Sequence, residues 1–250
     1  MDVHVLTLFP AMLEGPLRES IVGRAVENGV VRIRIHNIRD YAHDRHRTTD
    51  DYPYGGGGGM VMKPEPLFEA VEAVRSLIGE ENGRERAEGA HVVLMTPQGE
   101  VLTQALVEEL ASKSDLVLIC GHYEGVDERV VEHLVDREIS IGDYVLSGGE
   151  IPAMAVVDAV VRLLPGAVGD GQSIEDDSHS TGLIQFPQYT RPAEYRGRQV
   201  PAVLLSGNHE EVRRWRRRQS LRRTQQRRPD LLEKADLSSE DSALLAEQEG

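Results

Sequence analysis

The chain has 250 residues and a formal net charge of −14 at pH 7, a length that can bury a hydrophobic core without metal ions or disulfide bonds. Its single cysteine, Cys120, excludes an intramolecular disulfide and favours a reducing compartment. No stretch approaches the ~20 apolar residues of a membrane-spanning helix, and no basic leader precedes the first apolar run. We therefore expect a soluble, cytoplasmic protein.

The first third predicts two short strands, at residues 3–9 and 30–35, where apolar residues run together or alternate. A later segment carries Leu67, Val71, Val74 and Ile78 at helical spacing behind two prolines, which predicts an amphipathic helix. The polar residues 79–89 are expected to end that helix.

Five consecutive glycines occupy residues 55–59. Such a run loses too much backbone entropy to lie inside a helix or strand, so it predicts a flexible loop. It lacks the Lys-Ser/Thr pair of a P-loop, and Met60 stands where a dinucleotide-binding motif needs glycine. A mobile lid or a dimer contact is therefore favoured over a phosphate site.

The middle third repeats one pattern, in which an apolar strand ends in a glycine-containing loop. Strands at residues 91–95, 116–120 and 139–141 lead into loops at 96–99, 121–125 and 142–149. Helical sequence lies between them: Thr103 can cap one helix, and Pro152 and Pro165 bracket another. Strands alternating with helices predict an α/β fold with a parallel sheet.

Ligands of parallel α/β sheets bind at the carboxyl ends of the strands, so the three loops are expected to share one edge. Their free backbone groups and few charges suit adenine and a sulfonium cofactor, with Glu124 or Asp143 facing the ribose hydroxyls or the positive sulfur. Ordinary strand-to-helix turns would give the same spacing. Both interpretations stay open on spacing alone.

Residues 166–180 are polar and glycine-rich, which predicts a linker. Asn208, with Glu211 three residues later, has the form of a helix N-cap, and Ser238 with Asp241 repeats that form. Between Val212 and Pro229 there are nine arginines and no acid. The interleaved Trp215, glutamines and hydroxyls favour a nucleic-acid partner over an acidic protein.

Three other features have commonplace explanations. Asp177 closes a run of three acids, which is usually a solvated stretch. Arg162 lies among apolar residues, where a structural ion pair is the commoner explanation. His43 and His46 have no neighbouring cysteine or third histidine, which argues against a zinc site, and no metal ligands are predicted.

Together these motifs resemble the bacterial tRNA (guanine-N1)-methyltransferases of the SPOUT class, the TrmD family, over nearly the whole chain. The segments that carry the resemblance are Leu8-Phe9-Pro10, Gly23-Arg24-Ala25, His43-Asp44-Arg45-His46-Arg47, Pro53-Tyr54-Gly55-Gly56-Gly57, Pro97-Gln98-Gly99, Tyr123-Glu124-Gly125-Val126-Asp127-Glu128-Arg129, Ile141 to Glu150, and Leu204-Leu205-Ser206-Gly207-Asn208-His209.

The resemblance implies a parallel sheet with a deep C-terminal trefoil knot, and a small helical C-terminal domain. It divides the chain into a methyltransferase domain at 1–166, a flexible linker at 167–183 and a helical tRNA-binding domain at 184–250. It also implies an obligate homodimer whose active sites are shared between subunits, and S-adenosylmethionine bound in the knot. The cofactor-binding residues carried over are Pro97, Gly99, Gly121, Glu124, Ile141, Gly142, Asp143, Tyr144, Val145, Leu146, Gly148 and Gly149.

The activity implied is methylation of guanine N1 at tRNA position 37, next to the anticodon. Asp177 matches the general base and Arg162 the assisting arginine. Magnesium is implied only as a possible assistant without a protein cage. The residues expected to bind tRNA are Asn208, His209, Arg213, Arg214 and Arg217.

One departure from the family pattern lies in the cofactor loops, where His122 replaces a frequent arginine. Two rival functions remain at this point: a SPOUT enzyme acting on another RNA or on a ribose hydroxyl, and a catalytically silent RNA-binding protein.

Overall fold

The computed structural model describes residues 1–81, 83, 90–168 and 177–247. The chain divides into two compact units, Met1–Gly169 and Asp170–Gly250. Within the described ranges no helix is long and apolar enough to cross a membrane.

The first unit is built on a five-stranded parallel sheet in the order β2-β1-β6-β5-β7. Its strands are β1 (Asp2–Thr7), β2 (Arg32–Asn37), β5 (His91–Val101), β6 (Asp115–Cys120) and β7 (Arg137–Ser140). A separate antiparallel pair, β3 (Asp50–Asp51) and β4 (Val61–Met62), brackets the five glycines, which lie outside any strand or helix. The predicted α/β fold with a parallel sheet is confirmed.

Helices cover both faces of this sheet. They are α1 (Ala11–Glu14), α2 (Ser20–Glu27), α3 (Pro64–Glu81), α4 (Gln104–Ala111), α5 (Glu128–Leu134) and α6 (Glu150–Val161), with 3₁₀ turns at Pro16–Arg18 and Ile38–Tyr41. One core joins α1, α2, α4 and α6 to one face of the sheet. The other joins α3 and α5 to the opposite face. Strands buried on both sides explain the unbroken apolar runs in the sequence.

The predicted loop at residues 96–99 lies inside β5 instead of after it. The register between β5 and β7 shifts between Met95 and Glu100, and β5 then pairs with β7 again, Glu100 opposite Ile139. The intervening residues form an irregular bulge. The expectation of a simple loop there was wrong, because a second, long-range pairing extends the strand beyond it.

The helix boundaries follow the predicted caps in three places. Thr103 accepts a hydrogen bond from the Leu106 amide at the start of α4. Asn208 caps the long arginine-rich helix, and Ser238 with Asp241 forms a full capping box on the last helix. The helix containing Pro152 starts two residues earlier, at Glu150, with Gly149 at its N-cap, and it ends at Val161, before Pro165.

The second unit contains the hairpin β8 (Glu194–Tyr195) and β9 (Arg198–Gln199) and the helices α7 (Ala202–Leu205), α8 (His209–Arg227), α9 (Pro229–Leu232) and α10 (Ser239–Ala246). Leu183, Leu221 and Leu244 form its small core. The segment before the hairpin is fastened to α8, since the Ile184 amide donates to Thr224 Oγ1 at 2.9 Å. Residues 169–176, about half of the linker expected at 167–183, lie outside the described residues.

Candidate active site

The main cavity of the first unit opens at the carboxyl ends of β5, β6 and β7, where parallel sheets place their ligands. Three segments line it: the bulge in β5, the loop after β6 and the loop between β7 and α6. Ten of the twelve residues that the resemblance assigns to the cofactor are among the lining, namely Pro97, Gly121, Glu124, Ile141, Gly142, Tyr144, Val145, Leu146, Gly148 and Gly149.

The other two, Gly99 and Asp143, do not line the cavity. A Cβ on Gly99 would lie 2.4 Å from the backbone carbon of Glu138, so this glycine lets β5 approach β7. Asp143 is exposed in the loop after β7. The interpretation of Asp143 as a partner of the ribose or of sulfur therefore has no support from the cavity lining.

The charges of the cavity discriminate between cofactor classes. Its lining includes Glu124, Glu128 and Glu138 but, among the described residues, no lysine or arginine. An acidic, partly apolar cavity disfavours a ligand with phosphates and favours one with a positive charge. S-adenosylmethionine, whose sulfonium and ammonium groups are positive, fits this donor set.

Two of the lining segments are joined by a buried hydrogen-bonded cluster. Glu150, fully buried in the first turn of α6, accepts a hydrogen bond from Thr7 Oγ1 at 2.5 Å. Its two carboxylate oxygens lie 2.9 and 2.7 Å from His122 Nε2. The ring of Phe9 packs on the imidazole, with centroids 5.0 Å apart. The first turn of a helix favours a carboxylate, because amide groups point outward there.

Glycines let these segments approach closely. A Cβ on Gly148 would lie 2.2 Å from His122 Cε1, and one on Gly149 would lie 2.7 Å from the Cα of Cys120. The Gly149 amide donates to the Gly121 carbonyl at 2.9 Å. The glycines of the loop between β7 and α6 thus act in packing. Sequence reasoning treated them only as cofactor contacts.

The five-glycine loop is not part of the cavity lining, but its end contacts the loop after β6, which is. A Cβ on Gly59 would lie 2.3 Å from Glu124 Oε1, and the Glu124 amide donates to the Met60 carbonyl at 3.0 Å. The end of the glycine run therefore braces the loop that carries Glu124. Tyr123, the residue before Glu124, has a left-handed backbone conformation with φ 60°. This conformation is uncommon, and a tightly held loop can maintain it.

Cys120, directly before the loop after β6, is fully buried, and burial raises the pKa of its thiol well above the usual value. The thiol therefore stays protonated, and this excludes a nucleophilic thiolate at neutral pH. The described residues contain no group of three His, Cys, Asp or Glu side chains that could hold a metal ion.

The two residues assigned to catalysis lie in different units. Arg162 is half-buried at the C-cap of α6, and its helix begins beside the cavity and runs away from it. At 1.5 Å per residue, Arg162 lies about 18 Å along the axis from Glu150. Asp177 is half-buried in the second unit. Within one chain, Arg162 therefore does not belong to the cavity.

The residues expected to bind tRNA lie around α8. Asn208 Oδ1 accepts from the amides of Glu210 and Glu211, so its side chain is occupied as a cap. His209 is exposed in the first turn. Arg213 is also exposed.

Two further arginines of that set are paired with acids. Arg214 is bonded to Glu247, and Arg217 binds the carboxylate of Asp241 through two hydrogen bonds of 2.7 and 2.9 Å. The Arg217 guanidinium holds the pKa of Asp241 far below its usual value. The sequence could not reveal these pairs, since the acids lie 24 to 33 residues away.

The profile of the family described as tRNA (Guanine-1)-methyltransferase TrmD matches residues 1–234. Proteins named tRNA (guanine-N(1)-)-methyltransferase from Dehalococcoides mccartyi strain BAV1, Moorella thermoacetica and Dictyoglomus turgidum are 56%, 57% and 52% identical over 247 residues, covering 99% of this chain and 96% of each relative. The chain therefore belongs to the TrmD family of tRNA (guanine-1)-methyltransferases and is an enzyme of that kind.

Proposed function

We propose that this enzyme methylates N1 of guanine at position 37 of tRNA, in an active site completed by a second copy of the chain. Family membership establishes N1-guanine methylation of tRNA with S-adenosylmethionine as the methyl donor. The observation that carries the proposal is the acidic cavity at the sheet edge, lined by ten of the twelve residues expected to hold that donor. S-adenosylmethionine bound there supplies a methyl group activated by its positive sulfur.

The residues outside the cavity would activate the guanine. N1 of guanine carries a proton and becomes nucleophilic only when that proton is lost. We assign its removal to the carboxylate of Asp177, a role typically worth 10² to 10⁴ in rate. The negative charge that then develops on O6 would be stabilised by the Arg162 guanidinium. The new bond forms at N1 as the sulfur–methyl bond breaks, and the bonding electrons remain on sulfur.

A shared active site accounts for the position of Arg162. Because α6 carries Arg162 about 18 Å along its axis from Glu150, which lies beside the cavity of its own chain, we assign the arginine of each active site to another copy. The cavity rim also exposes apolar side chains, with Val145 82% and Tyr144 55% accessible, and Ile151 follows in α6 at 48%. An exposed apolar patch of this kind is typical of a subunit interface. We propose a homodimer on these grounds.

The remaining proposals follow the family. The loop between β7 and α6 returns to the loop after β6, where Gly148 forms a β-bridge with His122. This arrangement supports a trefoil knot in the SPOUT methyltransferase domain, residues 1–166. We propose a linker at 167–183 and a helical tRNA-binding domain at 184–250, with Asn208, His209, Arg213, Arg214 and Arg217 at its RNA surface. We propose a cytoplasmic location, where tRNA is processed.

The test is direct. The enzyme is incubated with methyl-labelled S-adenosylmethionine and unmodified tRNA, and the labelled nucleoside is identified and mapped. We expect 1-methylguanosine at position 37. Label at another position or on a ribose hydroxyl would overturn the substrate assignment. The same reaction with and without a chelator measures any dependence on magnesium, for which the described residues offer no protein ligands.

The subunit arrangement has its own test. Two inactive variants, one changed at Arg162 and one changed at Glu124, are mixed and assayed. If active sites are shared, exchange of subunits restores up to about one active site in each mixed dimer. If the mixture stays inactive under conditions where wild-type subunits exchange, each chain carries its own complete site.

A further inference from the structure

Seven of the eight arginines of α8 fall into two sets by their partners, and the eighth, Arg222, donates to the backbone carbonyl of Glu247. Three arginines are bonded to acids of α10 or of its C-cap: Arg214 and Arg218 to Glu247, and Arg217 to Asp241. Four others have no acidic partner among the residues that the structure describes. These are Arg213, Arg216, Arg223 and Arg227.

The four unpaired arginines share one face of the helix. At 100° per residue they fall within an arc of about 80°, and they span about 21 Å of its length. The acid-paired arginines lie on the adjacent arc. The sequence shows an even run of arginines, but the fold gathers these four on one stripe, which we call the free arginine stripe: Arg213, Arg216, Arg223 and Arg227.

A recess lies beside this stripe. Its lining combines apolar side chains, two aromatic rings and two cations, Arg191 and Arg216, with no acid among the described residues. The Arg216 guanidinium lies over the ring of Phe186, 4.8 Å from its centroid. Tyr189, 49% exposed in the lining, packs against Trp215 with centroids 6.4 Å apart. Leu205 is 61% exposed at the same place.

These are the parts of a site for one nucleotide of a single-stranded RNA segment. Unstacked bases bind aromatic rings and guanidinium planes, and phosphates bind arginines that are not already neutralised. Each phosphate contact releases counterions from the RNA, so the affinity falls as the salt concentration rises. The charge of this surface is opposite to that of the cofactor cavity, whose lining carries three glutamates.

We propose that the free arginine stripe and this recess form the RNA-binding surface of the second unit, with the stripe on the phosphates and one unpaired base in the recess. The proposal rests on the proposed function, because tRNA is the substrate. It assigns direct phosphate contact to the four unpaired arginines. Arg214 and Arg217, held by acids, would lie at the edge of this surface and also fasten α10 to α8.

The stripe is tested with the triple variant Arg213→Gln, Arg223→Gln and Arg227→Gln. The matched control is Arg196→Gln, Arg198→Gln and Arg228→Gln, which makes the same change of charge in the same unit. We expect the stripe variant to bind unmodified tRNA at least about tenfold more weakly. The slope of log affinity against log salt concentration should become shallower by about 2, at ~0.7 for each lost phosphate contact. An equal loss of tRNA affinity in both variants would overturn the assignment of phosphate contacts to the stripe.

The recess is tested with Tyr189→Ala, and Tyr195→Ala is the control, an exposed tyrosine outside the lining. We expect Tyr189→Ala to weaken tRNA binding by about fivefold or more and to leave binding of a blunt RNA duplex unchanged. Trp215, the single tryptophan, should report tRNA binding by a change in fluorescence that the duplex does not produce. Unchanged tRNA affinity would overturn the base site.

Two further measurements distinguish a failure of this inference from a failure of the proposed function. A changed sedimentation coefficient for Tyr189→Ala, with unchanged RNA affinity, would show that the recess contacts another copy of the chain and would overturn the proposal. Methylation of tRNA by the wild-type protein is measured in the same preparations. If the wild type forms 1-methylguanosine while the stripe and recess variants bind normally, only this inference fails and the proposed function stands.

Discussion

The carboxylate of Glu150 lies 2.7 Å from His122 Nε2, and both side chains are almost completely buried at the cofactor cavity, which His122 helps to line. The pair joins the first turn of α6 to the loop after β6, and Thr7 adds a third segment through its 2.5 Å hydrogen bond. A buried carboxylate without its partners is strongly destabilising. The pair therefore fixes the distance between two segments that line the cavity.

His122→Ala should lower stability by about 1–3 kcal/mol, since it removes the imidazole that is hydrogen-bonded to the buried Glu150 side chain. Because the two loops lose their common anchor, the affinity for S-adenosylmethionine should fall at least about tenfold. Thermal unfolding and calorimetric titration measure the two effects. His122→Arg, which keeps a donor for the carboxylate, should recover most of the affinity. His133→Ala, at an exposed position of α5, is the control. Wild-type affinity in His122→Ala would show that the pair does not shape the cavity.

A second buried histidine makes stability depend on pH. His4 is fully buried in β1, with Nδ1 2.9 Å from His36 Nε2 and with no hydrogen bond to its own Nε2 among the described residues. Burial, followed by the charges of His36 and Arg34, lowers the pKa of His4 to about 4. The folded chain therefore keeps this imidazole neutral, whereas the unfolded chain protonates it near pH 6.5.

The sign of the effect follows from proton binding. Below pH 6.5 the unfolded state binds a proton that the folded state does not, so stability falls as the pH drops toward 4. At about 1.4 kcal/mol per unit, His4 removes up to about 3 kcal/mol over that window. Urea unfolding at pH 7.5 and pH 4.5 measures the loss. His4→Gln should show a smaller difference between the two pH values, and His133→Gln should not. An identical slope for His4→Gln would assign the pH dependence to other groups.

Gly99 provides a prediction about packing. A Cβ there would lie 2.4 Å from backbone atoms of Glu138 and Ile139, which cannot move aside as a flexible side chain can. Gly99→Ala should therefore cost about 1–3 kcal/mol by overpacking and should weaken cofactor binding by shifting the bulge of β5. Gly15→Ala, where nothing lies within 4 Å, is the control. Equal melting temperatures for the two variants would contradict the close approach of β5 to β7.

Local signals in the sequence were sufficient for the caps and for the parallel sheet. Thr103 and Asn208 were predicted as caps because a cap depends on residues only two or three positions away. The return of β5 to β7 at Glu100 was missed, since it depends on a strand almost forty residues later.

The same limit applies to the site. The contact between Thr7 and Glu150 spans 143 residues, and neither residue belongs to a motif that indicates it. The free arginine stripe was also invisible, because the helical period alone does not say which arginines meet the acids of the C-terminal segment. Long-range pairing of charges is decided by the packed fold, not by local preference.

Asp177 is assigned as the general base. Asparagine in its place removes the carboxylate that accepts the proton and leaves the cavity unchanged. Asp177→Asn should therefore bind S-adenosylmethionine with wild-type affinity, while the rate of methyl transfer falls by about 10²- to 10⁴-fold. Single-turnover assays at saturating cofactor and tRNA isolate that step, and calorimetry checks the cofactor affinity. Asp176 lies outside the described residues, but it is the adjacent acid in the sequence, and Asp176→Asn is therefore the matched control. If Asp176→Asn is the inactive variant and Asp177→Asn retains activity, the base is one position earlier. If both variants retain activity, proton removal does not depend on this acidic run. Stabilisation of the O6 charge by Arg162 then becomes the larger contribution to the rate.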